Sequence, residues 1–268
     1  MAGVSSATLE AWAISLPGAS FFDHTYAVSS CGLRWGCRGR SAGGILLRSG
    51  TGSSAIADCL AQPNGEAGIR YGRTGVCHQI ANRILHSAGI TVAGCGGYIV
   101  SVAFWDVYGL PPWPELQACY SSGTVSPASS VTGGSAGRSR NLSGSSGVYD
   151  TPQSGMELTQ LTEFLVLAEG ALGHRLDEPT RRSLRKIQRD FLRRQAQLVR
   201  ILDLGVVAPE EYLDQLNALL KTMMDRMRAA LGEERFNVVF GEAGRHPEGL
   251  VDRSTFMDAI ASERAASR

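Results

Sequence analysis

Residues 68–90, GIRYGRTGVCHQIANRILHSAGI, carry the reading on which the rest of the chain turns. A Gly-containing loop leads into a run that places Ile80, Ile84 and Leu85 on one stripe at helical spacing, and Gly89 supplies a stop. The pattern predicts a helix from about Cys77 to His86. Upstream, FFDHTYAVS (21–29) is aromatic and β-branched. LRWGCRGR (33–40) can pair with it after a turn at Ser30–Gly32. Downstream, GYIVSVAFWDVYG (97–109) is largely apolar and reads as one or two buried strands. The order strand, strand, loop, helix, strand predicts an α+β unit whose helix opens on a cysteine.

Further out, the composition changes along the chain. The 268 residues sum to a formal charge of +1, too balanced for a nucleic-acid coat or a polybasic membrane binder. Residues 1–150 hold nine Arg, no Lys and seven acids, and residues 151–268 hold seventeen basic and eighteen acidic groups. All six cysteines and all four tryptophans lie in the first half. Between the halves, residues 121–155 are dominated by Ser, Gly and Thr, which predicts a flexible linker between a unit at 1–120 and a helical unit at 156–268.

The second unit reads as helices over 156–172, 179–202 and 209–231, with shorter ones near 233–240 and 253–265. Leu184, Ile187, Phe191, Leu198 and Leu202 form one apolar stripe. Leu213, Leu216, Leu220, Met223, Met227 and Leu231 form the next. Eight basic residues fall between Arg181 and Arg200. A solvated helix face is the ordinary reading of such a run; an acidic protein partner is the functional one. The absence of interleaved aromatics disfavours nucleic acid.

No run of apolar residues is long enough to span a bilayer. The N-terminus lacks a basic start and an apolar core, so a cytoplasmic protein is expected, and an effector moved by a dedicated secretion machine also fits. The cysteines are expected to be free thiols. Cys31 and Cys37 have no second close pair and the five histidines are scattered, so no metal or other cofactor is implied.

Cys77 is the chemical signal. A helix N-terminus lowers a thiol's pKa and offers unpaired N–H groups to an oxyanion, and Gly75 permits close backbone approach. His78 is adjacent but points about 100° away around the helix. His24, on the strand DHTYAV, can cross to the helix end as the base. Cys77 as a buried hydrophobe and His24 as a half-buried donor are the bland alternatives. Arg34, Arg38, Arg40, Arg70 and Arg73 either receive an acidic substrate group or are ordinary solvated charges.

The stretch GVCHQIANRILHSAGITVAGCGGY (75–98) resembles the core of papain-like thiol enzymes of the transglutaminase type. That family places its histidine in the strand after the helix, where SVAFWDVYG offers Trp105 and Asp106 instead. The circularly permuted branch, which includes NlpC-type cell-wall peptidases and lecithin:retinol acyltransferases, puts the histidine strand first, in the order found here. The resemblance implies a papain-like domain with an antiparallel sheet and a cysteine-bearing helix. By it, Cys77 is nucleophile and His24 base, in a thiol hydrolase (protease or amidase) or acyltransferase that takes a peptide-like or acyl small-molecule substrate. Asp23 should face away from His24 on its strand, and Asp106 serves only if its strand is adjacent. The alternative is a non-catalytic interaction protein that keeps the fold and assembles through its helices.

Overall fold

The computed structural model describes residues 6–15, 21–37, 41–61, 65–110, 116, 118–120 and 153–266. The expected linker lies, as far as residue 152, outside the described residues, as do Arg38 and Arg40. Among the described residues the protein is α+β, with one four-stranded antiparallel sheet and many helices. Strands β1 (Ser6–Ser15), β2 (Asp23–Ser29), β3 (Arg34–Gly36) and β4 (Ile45–Ser53) lie in the order β3-β2-β1-β4. β1 shows the half-buried alternation of an outer layer, with Leu9, Ala11 and Ala13 turned inward. β2 is buried from His24 to Ser29 because it lies between β1 and β3 under a helix.

That helix is α2 (Cys77–Ile84), preceded by α1 (Ser54–Ala61). All of α2 is buried, polar residues included, and each polar group is answered. Asn82 accepts from Val92 N at 2.8 Å and donates to Val107 O at 2.6 Å. Arg83 donates to Ala67 O, Tyr108 O and Leu110 O, so the helix clamps the loops on either side of it.

The segment read as strands at 97–109 contains a helix, α3 (Tyr98–Phe104), which is a correction. An apolar run buried on every side carries no period to separate helix from strand. Gly97 decides locally: its φ of +77° starts the helix, and a Cβ there would overlap the Phe22 ring.

The second half folds as α4 (Gln153–Leu172), α5 (Glu178–Asp203), α6 (Pro209–Leu231), α7 (Glu233–Phe240) and α8 (Arg253–Ala266), with two 3-10 turns at 241–249. Asp177 caps α5 by accepting from Thr180 N at 2.8 Å, and Pro209 opens α6. These helices pack on the first unit through one continuous core. Phe191 of α5 meets Phe104 of α3 at 4.6 Å between ring centres. Gln188 and Gln195 donate to Ala103 O and Arg73 O, and Tyr212 OH donates to Gly72 O at 3.0 Å. No helix among the described residues is long and apolar enough to cross a membrane.

Cys59 and Cys119 form a disulfide across 60 residues, which corrects the expectation of six free thiols. Their spacing in sequence carried no such information; folding brings the two Cα atoms to 5.8 Å. Cys31, Cys37, Cys77 and Cys95 remain as thiols.

Candidate active site

β3 pairs with β2 only at Tyr26–Val28, and beyond that register the N-terminus of α2 meets the backbone of β2. Cys77 Sγ donates to Asp23 O at 3.8 Å, and His78 Nε2 donates to the same carbonyl at 3.2 Å. The helix start is set by its own sequence. Gln79 folds back so that its Oε1 accepts from Val76 N at 3.0 Å, half of a capping box. Gly75 makes room, since a Cβ there would stand 2.9 Å from Gln79 Cβ. The N–H groups of Cys77 and His78 then have no carbonyl four residues back within the helix.

The structure brings His24 within hydrogen-bonding reach of the Cys77 sulfur. Burial pushes the thiol up, but the hydrogen bond and charge of His24, with the N–H and hydroxyl of Thr25, outweigh it and hold the thiol below its ordinary value. Thr25 Oγ1 is buried with no other partner among the described residues, so an anionic sulfur gives it an acceptor. His78 is a different kind of group. Burial, aided by the nearby charge of His24, lowers it to about 4, and its Nδ1 sits 2.9 Å from Ser101 Oγ. It is a neutral structural histidine.

Cys77 and His24 retain 8% and 6% of their surface, at the floor of a small cleft. Phe22, Tyr71 and Val76 line it from the first half of the chain, and Gly249, Leu250, Asp252 and Thr255 from the second, with Gly249 lying against the Phe22 ring. Tyr71 joins the two: its hydroxyl accepts from Asp252 N at 3.2 Å and keeps its own proton to donate. Burial, with Cys77 and Cys37 close by, pushes the phenol well above its ordinary value, so it stays a neutral donor.

Other candidates fall elsewhere. Asp23 uses its carboxylate on Gly96 N at 2.6 Å and Ser15 Oγ at 3.2 Å. Asp106 lies beyond α3 and interacts with Glu163, whose carboxyl is pushed up to about 8 by burial and by that neighbour. Arg34 bonds Ser41 O. Arg70 and Arg73 pair with Asp203, and Arg73 also with Glu263. Arg73, at 2% exposure, is a structural cation and not a solvated one. Cys95 is pushed well up by burial and by Cys77 and Asp23; exposed Cys31 is lowered by hydrogen bonds from Ser29 and Ser54.

Sequence reasoning passed over Tyr71, Thr25 and the 249–255 wall. Tyr71 sits six residues before Cys77 in the same Gly-rich loop, which was a usable signal; the distant wall left none. No protein-family model, curated protein or solved structure matches the chain.

Proposed function

We propose that the chain is a cysteine-dependent hydrolase or acyltransferase for an amide or ester bond, built on a circularly permuted papain-like unit. The observation that carries this reading is the lowered Cys77 thiol at a helix start, beside His24, on the floor of a cleft. His24 takes the thiol proton and Cys77 attacks the acyl carbon. The developing oxyanion is met by the N–H groups at the start of α2, with the Tyr71 hydroxyl as a donor across the cleft. Collapse breaks the C–N or C–O bond, and the imidazolium of His24 returns the proton to the departing amine or alcohol. Water or an amine, deprotonated by His24, then opens the thioester and restores the thiol.

The test uses a Cys31→Ser background, because exposed Cys31 is itself acidified. At pH about 6, iodoacetamide should modify Cys77 at least tenfold faster than an ordinary thiol, and His24→Ala should remove the advantage. An activated acetyl ester should leave an acetyl group on Cys77, visible by mass. If Cys77 labels at the rate of an unperturbed thiol and takes no acyl group, the reading fails and a non-catalytic binding unit stands in its place.

A further inference from the structure

The helix α5 carries a cationic line that forms no salt bridge among the described residues, although Lys186 and Arg193 add to the field that lowers Asp190. Arg182, Lys186, Arg189, Arg193 and Arg200 are all exposed, and their spacing of four, three, four and seven residues keeps them within about 60° of one another around the axis. The line is about 27 Å long at 1.5 Å per residue. Among the described residues none of the five is in a salt bridge, and Arg182 donates only to a backbone carbonyl, Glu178 O. The acids on its flanks are already answered. Glu178 pairs with Arg181 and Arg185, and Asp190 with Arg226.

The line ends in apolar side chains. Leu204 continues the same angular position one turn beyond Arg200, and Leu204 and Val206 are 67% and 69% exposed, among the most exposed large hydrophobics described. Core packing does not explain them, and they stand on a turn tied to the first unit by Asp203 and Arg70. A narrow cationic line with an apolar tip is the contact a convex helix makes with a plane.

We propose that α5 docks the protein on an anionic lipid surface, with the five cations at the headgroups and Leu204 and Val206 inserted at the interface, a local contact that the near-neutral total of +1 conceals because the cations are gathered on one line. A bilayer is favoured over an acidic protein because a protein groove engages the flanks of a helix as well as its ridge. Here the flanking Arg181, Arg185, Glu178 and Asp190 are internally paired, and Arg194 is the exposed flanking cation outside any salt bridge among the described residues. A bilayer also gives the two aliphatic side chains a medium they lack. The inference is independent of the thiol chemistry, since nothing in it involves Cys77.

The full chain should co-sediment with phosphatidylcholine vesicles containing about one third phosphatidylserine, and not with phosphatidylcholine alone; salt at about 0.5 M should release it. Arg189→Ala with Arg193→Ala should weaken binding roughly 30-fold, at about fivefold per charge. Leu204→Ser with Val206→Ser should weaken it by a further factor of at least ten, with circular dichroism unchanged. Three results would overturn the proposal: no difference between the two kinds of vesicle, no effect of the charge variant, or capture by polyglutamate or RNA without capture by vesicles.

Discussion

Cys77 and His78 are neighbours in one buried turn, yet their shifts differ in kind: the thiol is held below its ordinary value, toward its charged form, and the imidazole is lowered to about 4, toward its neutral one. The difference lies in what each faces. The Cys77 sulfur has the His24 imidazole and the Thr25 N–H, both of which stabilise an anion; His78 has a carbonyl and a hydroxyl in a site where a cation is poorly solvated. Stability follows for His78. Between about 4 and 6.5 the unfolded chain holds a proton that the folded chain excludes, so stability is full above 6.5 and is lost as the pH falls toward 4. The loss should total about 3 kcal/mol. Urea midpoints measured from pH 7 to 4 should show it in the parent chain and not in His78→Gln. An equally steep acid limb in the variant would place the titration on another group. At this scale the sequence was informative for Cys77 and His24, because a helix start and a strand histidine are local patterns. Tyr71 and Thr25 act through tertiary approach, which no local pattern encodes.

Among the elements, the helices of the second half were legible nearly to the residue, since amphipathic stripes with Pro at the start and Gly at the end state both face and length. α3 was not, because it is buried on nearly every side, its polar Ser101 included, and so shows no apolar stripe. β1 and β4 were missed as well: β1 is interrupted by Ala and Glu, and β4 by Arg, Ser and Gly, so neither has the β-branched density that marks β2. What joins the elements is partly ionic. Arg73 on the loop before α2 is buried, while its partners Asp203 at the end of α5 and Glu263 on α8 keep 39% and 40% of their side-chain surface. The two sides of this lock are therefore unequal. Asp203→Asn with Glu263→Gln strands a buried cation and should cost about 3 kcal/mol or more. Arg73→Met leaves two carboxylates that water can reach and should cost less, a ranking that chemical denaturation of the three chains will show. The reverse order would mean that the guanidinium matters for its shape and not for its charge.

At the scale of the molecule, the two units of contrasting composition share one hydrophobic core, and the cleft around Cys77 has a wall from each. A chain ending at Tyr120 loses Phe191 from Phe104, Tyr212 from the Gly72 carbonyl and the 249–255 wall from the cleft. It should bind 8-anilinonaphthalene-1-sulfonate and sediment as aggregates. A monomer with the unfolding midpoint of the full chain would show that the shared core adds nothing to the first unit. The Cys59–Cys119 bond bears on location, since such bonds persist in oxidising compartments, against the cytoplasmic expectation drawn from the N-terminus. It also has a mechanical meaning. The bond short-circuits the chain around a ring of residues 59–119 that contains Cys77 and all of α2, whereas His24 lies outside it. A force applied to the two ends therefore bypasses the ring, and about 200 Å of contour, at 3.3–3.6 Å per residue, stays hidden from extension until the sulfurs part. Under tension His24 is drawn away on its strand while Cys77 remains inside a closed loop.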